Sequence, residues 1–193
     1  VDCGLCERSC AVINPLEKPK NEPLAYAAYT KDEAVRTESS SGGVFTELAK
    51  VVLAEKGAVF GATYNHQFEV VHICVENEDG LKHLRGAKYA QSNLQGVFSE
   101  AKYRLDHGQK DLFSGTPCQV GGLKAYLRKD YSNLITVDFV CHSVPSPMAW
   151  RQYVKYRAQK DNAGRLPAAI NLRSKKTGWS RYQYSNLFEY ENG

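Results

Sequence analysis

No stretch of this 193-residue sequence holds enough consecutive apolar residues to cross a bilayer. The opening residues, Val1-Asp2-Cys3, show neither a basic n-region nor an apolar h-region, so no secretory signal is visible and a cytoplasmic location is expected. An initiator Met is missing as well, and the chain stops at Tyr190-Glu191-Asn192-Gly193 straight after a strand-like run. We therefore expect a fragment cut at both ends. Excess charge of one sign is small, at +4, and basic residues mix with acids, as in Arg104-Leu105-Asp106. Lys155, Arg157 and Lys160 read as a solvated helix face. Nucleic-acid binding wants a concentrated basic face with stacking aromatics, which is lacking here. Neither a fixed-period repeat nor a low-complexity tract is present.

The six cysteines are Cys3, Cys6, Cys10, Cys74, Cys118 and Cys141. Without an export signal they do not suggest a disulfide framework. Three of them crowd the first ten residues with the spacing C-x2-C-x3-C. That matches the last three cysteines of the bacterial ferredoxin run C-x2-C-x2-C-x3-C-P, with Ala11 in place of Pro. Cys3 and Cys6 would serve one [4Fe-4S] cluster and Cys10 a second. A half zinc site or a plain reduced knuckle are the alternatives, but zinc sites usually use a second C-x2-C pair, which this chain lacks.

Asn14 to Pro23 contains three prolines and reads as a linker. Leu24 to Thr30 reads as a strand and Lys31 to Ser40 as a polar loop. Val44, Phe45, Leu48, Val51 and Val52 recur at helical spacing, with Gly57 as the closing glycine. Ala58 to Tyr64 and Val70 to Val75 read as strands. Leu81 to Leu84 is a short helical piece, and Val97 to Leu105 a helix closed by Gly108. Asp111 to Ser114 and Leu134 to Val140 are strands, each running into a loop and then a helix, to Arg128 and from Pro147 to Lys160. Ala168 to Arg173 and Tyr182 to Glu189 form a closing pair of strands. The alternation predicts an α/β fold, a mixed, mostly parallel sheet with flanking helices. We expect a ferredoxin-like knuckle and linker over 1–22, an α/β core over 23–163 and the start of a C-terminal β segment over 164–193.

Three places carry further chemistry. Ser40-Ser41-Gly42-Gly43 leads into the Val44 helix, where free N–H groups and serine hydroxyls suit a nucleotide phosphate; ordinary capping is the other reading. Gly115-Thr116-Pro117-Cys118-Gln119 and Cys141-His142-Ser143-Val144-Pro145-Ser146-Pro147 both sit after an apolar strand and before a helix. In open α/β sheets the carboxyl ends of the strands form the ligand crevice. Cys118 and Cys141 read as thiolates at its edge, against the alternative of two small core cysteines. His142 fits a proton donor, a ligand or a backbone hydrogen-bond partner. His66, His72, His83 and His107 read as structural or exposed, and Cys74 as core.

With Gly86-Ala87-Lys88-Tyr89-Ala90-Gln91-Ser92, these segments, in this order behind a ferredoxin-type knuckle, resemble the coenzyme F(420) hydrogenase/dehydrogenase beta-subunit family. The resemblance implies an iron–sulfur flavoprotein oxidoreductase that passes electrons between one or two [4Fe-4S] clusters and FAD, and hydride to or from a deazaflavin such as coenzyme F(420) or another small organic acceptor. It makes Ser40, Ser41, Gly42, Gly43, Lys88, Tyr89, Ser92, Gly115, Thr116, Pro117 and Gln119 candidate flavin contacts. Cys118 and Cys141 become cluster ligands or thiols near the flavin, and Lys88, Cys118, Cys141 and His142 the candidate catalytic groups. Lys88 has the plain alternative of a surface lysine. Implied partners are a redox protein or hydrogenase-type subunits, and assembly into an oligomer is compatible with the sequence. Rival readings are a relative that reduces a sugar or other metabolite, a non-catalytic electron-transfer adaptor, and a zinc-stabilised binding module. A bulky residue at Gly43 is expected to weaken flavin binding and leave the fold largely intact.

Overall fold

The structure, a computed structural model, describes residues 4, 7, 13, 14, 22–180 and 182–191. Cys3, Cys6 and Cys10, and with them the ferredoxin-like knuckle, lie outside the described residues.

The strand expected from Leu24 to Thr30 does not form: Leu24 is 81% exposed, and the Thr30 N–H donates to the Gly42 carbonyl at 2.7 Å. The run Leu24-Ala25-Tyr26-Ala27-Ala28-Tyr29 is small and Tyr-containing, but among the described residues no strand pairs with it. The expected polar loop that follows contains a helix, α1 (Glu33–Glu38). Asp32 starts it, its Oδ1 accepting from the N–H groups of Ala34 at 3.0 Å and Val35 at 3.1 Å. One buried residue, Val35, gives no periodicity to read.

The helix α2 (Val44–Ala54) forms as its spacing predicts, but its buried face is Thr46, Ala49 and Val52. Val44, Leu48 and Val51 face outward, Val51 at 55% exposure. The glycine after it serves a different purpose from the one expected. Lys56, not Gly57, takes the left-handed conformation, at φ +60°. At Gly57 a Cβ would lie 2.1 Å from the Lys110 carbonyl oxygen, so glycine is needed where the chain passes the start of the third strand.

The main sheet has the order β2-β1-β3-β4. Its central strand β1 (Ala58–Tyr64) pairs antiparallel with β2 (Val70–Val75) and parallel with β3 (Asp111–Gly115), which pairs parallel with β4 (Leu134–Asp138). Asn65 closes the β1–β2 hairpin, its Oδ1 accepting from the N–H groups of Gln67 and Glu69 at 2.9 Å each. Between β2 and β3 lie α3 (Glu78–Leu84) and α4 (Val97–Asp106). Gly108 follows α4 at φ +77°, as a helix-ending glycine should. After β3 comes α5 (Pro117–Leu127).

Alternation along the strands divides the core into two layers. Ala58, Phe60 and Phe113 pack with Val97, Ala101 and Leu105 of α4 and Val120, Leu123 and Leu127 of α5. Val59, Val75 and Leu112 pack on the other face with Ala49 and Val52 of α2 and Leu81 and Leu84 of α3. This is the helix–sheet–helix layering expected of an α/β domain.

The last part departs from that layering. β4 ends at Asp138, two residues earlier than expected, and α6 (Pro147–Asn162) begins only after residues 139–146. Trp150 and Val154 of α6 pack against Val70, Ala90 and Leu172, away from β4. Leu172 belongs to β5 (Ala169–Ser174), which forms an antiparallel pair with β6 (Ser185–Glu189). Among the described residues no helix is long and apolar enough to cross a membrane.

Candidate functional site

The carboxyl ends of β1, β3 and β4 and the start of β2 lie along one edge of the sheet. Three of the four motifs converge there, and the centre of the convergence is His72, which the sequence left as a structural or exposed histidine. His72 is 6% exposed and stacks on Phe113, with ring centroids 5.5 Å apart. Its Nε2 lies 3.0 Å from the Ser114 carbonyl oxygen and its Nδ1 lies 2.8 Å from Ser92 Oγ. A carbonyl only accepts, so Nε2 carries the proton and donates. In the neutral ring Nδ1 then accepts from the Ser92 hydroxyl. Burial holds the His72 pKa below the usual range against the Ser114 hydrogen bond, which raises it, and the positive charge of Lys88 adds a smaller lowering, which favours the neutral ring.

The chain of bonds continues. Gln119 Nε2 donates to Ser92 Oγ at 2.7 Å, and Gln119 Oε1 accepts from the Thr116 N–H at 2.9 Å. Each member has one consistent direction, so β2, residues 86–92, the end of β3 and the first turn of α5 form one polar unit. The N–H of Gln91 donates to the Pro145 carbonyl at 3.3 Å, bringing in residues 141–147. A cavity of about 510 Å³ opens beside this unit, lined by Ser92, Gln91, Asn93, Glu69, Trp150 and Arg151 among others. That size is within the range of small-molecule and cofactor pockets.

The serine–glycine motif is tied in by Arg85, which the sequence did not single out. Arg85 Nε donates to Thr46 Oγ1 of α2 at 3.2 Å, and its Nη1 pairs with Glu38 at 2.6 Å. Its carbonyl accepts from Lys88 Nζ at 2.6 Å, and the His83 carbonyl accepts from the same ammonium at 3.1 Å. Lys88 thus caps the end of α3 and is half-buried, not a surface lysine; burial pulls its pKa down to about 8. Gly86 has φ +83° with nothing within 4 Å of a Cβ.

Gly42 and Gly43 have an immediate structural use. A Cβ on Gly42 would lie 3.0 Å from the Ala28 carbonyl oxygen, and one on Gly43 2.6 Å from Thr30 Cγ2, with φ at +79°. The expectation that Gly43 tolerates a bulky residue is therefore wrong: such a change strains the backbone and pushes residues 28–30 off the start of α2. α2 begins on Gly43 without a side-chain cap, and Ser40 Oγ is buried with no hydrogen-bond partner among the described residues. An orphaned hydroxyl beside an uncapped helix start fits a phosphate oxygen. Ser41 is exposed next to it, and Tyr89 is exposed on the 86–92 segment.

The two loop cysteines differ more than their sequence settings imply. Gly115 and Asp138 are cross-strand partners, and each cysteine lies three residues further on. Cys118, however, is the second residue of α5, after Pro117, and its Sγ lies 3.0 Å from Thr116 Oγ1. Cys141 and His142 lie in the exposed loop before α6, so Cys141 is not at a helix start. Both cysteines are exposed, which rules out the core alternative for them. Cys74 is partly buried and packs against the core, where burial and then Glu100 push its thiol up to about 12. Among the described residues no group of three or more His, Cys, Asp or Glu side chains is placed to hold a metal ion.

Residues 25–99 match the family described as coenzyme F420 hydrogenase/dehydrogenase, beta subunit N-term, and residues 108–164 match the C terminus of the same subunit. Among solved structures, the chain is similar to a chain of the F420-reducing [NiFe] hydrogenase complex from Methanosarcina barkeri. The TM-score is 0.53 at 17% identity, over 83% of this chain and 58% of that one. No curated protein matches by sequence.

Proposed function

We propose that this chain, which belongs to the coenzyme F420 hydrogenase/dehydrogenase beta-subunit family, is the flavin-binding part of an iron–sulfur oxidoreductase. The observation that carries the reading is the polar unit His72–Ser92–Gln119–Thr116, which gathers the family's motifs beside one cavity. FAD, when bound, would supply two-electron hydride chemistry on one side and one-electron exchange on the other. Ser40 and Ser41 with the α2 start would hold a phosphate, and Gln91, Ser92 and residues 115–119 would line the rest of the site. Ser92 presents a hydroxyl whose direction is set by neutral His72. Lys88 places positive charge beside this unit, suited to a group that gains negative charge on reduction.

Cys3, Cys6 and Cys10, within the segment 1–22, would hold [4Fe-4S] clusters, with Cys118 and Cys141 as further ligands or as thiols near the flavin. His142 would serve as a proton donor at the same edge of the crevice by turning inward from its exposed position. The solved relative belongs to an F420-reducing hydrogenase complex, so a deazaflavin is one acceptor to test and hydrogenase-type subunits are the partner class. The outward apolar stripe Val44, Leu48 and Val51 on α2 favours a second reading, an adaptor that docks a catalytic subunit without holding flavin.

The deciding experiment is an anaerobic absorption spectrum of the protein, with iron, sulfide and released-flavin analysis. Flavin bands above an iron–sulfur shoulder support the oxidoreductase reading. Clusters without flavin move the conclusion to the adaptor, and a colourless protein after reconstitution overturns both.

A further inference from the structure

We propose that Arg36, Arg173 and Lys175 form a second anion site, apart from the crevice, that takes the phosphate group of a phosphorylated small molecule. Arg36 lies in the last turn of α1, Arg173 in β5, and Lys175 directly after β5. Lys175 Nζ donates to the Arg36 carbonyl at 2.6 Å, which fixes the two segments side by side. Burial first, and then repulsion from Arg173 and Arg36, hold the Lys175 pKa below the usual lysine range, so the three charges share one neighbourhood.

Two donors there are left over. Arg36 Nε and Arg173 Nε are both buried, and neither has a hydrogen-bond partner among the described residues. A buried N–H without an acceptor is costly, and such a group calls for an ion or water. Glu33 meets Arg36 through Nη2, at 2.9 and 3.1 Å. Among the described residues no carboxylate pairs with Arg173 or Lys175. Phosphate oxygens would supply acceptors for such Nε–H groups and the counter-charge that Lys175 lacks, and guanidinium forks match their geometry.

The cations are already held in place by rings. Arg36 Cζ lies 5.2 Å from the ring centroids of both Tyr29 and Trp179. Lys175 Nζ lies 3.7 Å from that of Trp179, and Arg173 Cζ 4.8 Å from that of Tyr184. Pre-organisation of this kind lowers the ordering cost of binding. Arg36 lies within the first matched family segment, 25–99, but Arg173 and Lys175 lie beyond both, the second of which ends at residue 164, and none of the three is among the residues proposed to hold the flavin.

The test is calorimetric titration of the full chain with inorganic phosphate, ribose 5-phosphate and adenosine 5′-monophosphate at fixed ionic strength. Saturable binding is expected, weakened at least about tenfold by Arg173→Met through loss of a charge-assisted partner, and less by Arg173→Lys. Tighter binding of the nucleotide than of ribose 5-phosphate would add the base to the ligand; equal binding would mark the phosphate as what is read. In case the Met variant unfolds, phosphate must also raise the melting temperature of the unaltered chain more than chloride at equal ionic strength. No saturable binding of any probe, or equal binding by a folded Arg173→Met chain, overturns the site and leaves a cation–π staple that docks residues 175–179 on α1.

Discussion

Removing one hydroxyl tests the polar unit at the heart of the candidate site. Ser92 Oγ sits between His72 Nδ1 at 2.8 Å and Gln119 Nε2 at 2.7 Å. In Ser92→Ala the His72 nitrogen, on a side chain only 6% exposed, loses its donor. Leaving such a buried acceptor unpaired costs about 1–3 kcal/mol. For a chain of this length about 2 kcal/mol lowers the melting temperature by roughly 4–8 °C. His72→Phe keeps the stack on Phe113 and removes the acceptor as well. The double variant should therefore lose less than the sum of the single variants, by about 1 kcal/mol. Urea or thermal unfolding of the four proteins gives the answer. Acid titration adds an independent check. The folded His72 pKa lies below the unfolded value of about 6.5, so the unfolded chain binds more protons as pH falls. Stability should then drop as pH falls below about 6.5 in the parent and less so in His72→Phe. Single-variant losses that add within about 0.5 kcal/mol, with identical acid profiles, would refute the coupled unit.

Three further tests follow from the same geometry. Gly57→Ala puts a Cβ 2.1 Å from the Lys110 carbonyl and should cost more than about 2 kcal/mol, whereas Gly86→Ala, at φ +83° in open space, should cost about 1; unfolding curves rank them. Asp111 is fully buried against Arg104, and burial raises its pKa to about 6, above the unfolded value of about 3.9. Native protein thus binds more protons in that window, so parent stability should fall as pH rises from about 4 to about 6, and Asp111→Asn should lack that fall. Lys88 has the opposite sign of slope. Its folded pKa of about 8 lies below the unfolded value of about 10.4, so stability rises with pH between them in the parent, and Lys88→Met should be flat there.

Elements that bury an apolar face were readable in the sequence. Phe60 and Phe113 sit in strands whose alternation serves two layers, and each is flanked by helices of the right period. The polar unit was harder to see. His72 lies inside an apolar strand, and its partners Ser92 and Ser114 are 20 and 42 residues away. Nothing local marks a histidine whose hydrogen-bond partners are set by the sheet register. Arg85 was hidden for the same reason, since Glu38 and Thr46 reach it from 47 and 39 residues away. The Gly42–Gly43 pair was visible as a glycine demand, but the pattern could not say that Ala28 and Thr30 make it. In the sequence Gly57 looks like a helix end, whereas its constraint comes from Lys110, which the β1–β3 pairing brings near. The motif segments themselves were legible; which of them touch was not.

Residues 139–146 bring a wall to the cavity. After β3 a single residue, Thr116, separates strand from helix, and α5 folds straight back so that Val120, Leu123 and Leu127 cover Phe113. After β4 the longer connection carries α6 past the sheet edge, and Trp150 docks on the other side, its Nε1 donating to the Phe68 carbonyl at 2.7 Å. In that position Pro147, Trp150 and Arg151 form one wall of the space beside Ser92. The same detour leaves Cys141 and His142 exposed at the rim, on the segment that Gln91 holds through Pro145. That bond ties the loop of Cys141 and His142 to the segment of Ser92, so the exposed loop is held at one point by the packed scaffold, the setting in which binding residues most often occur.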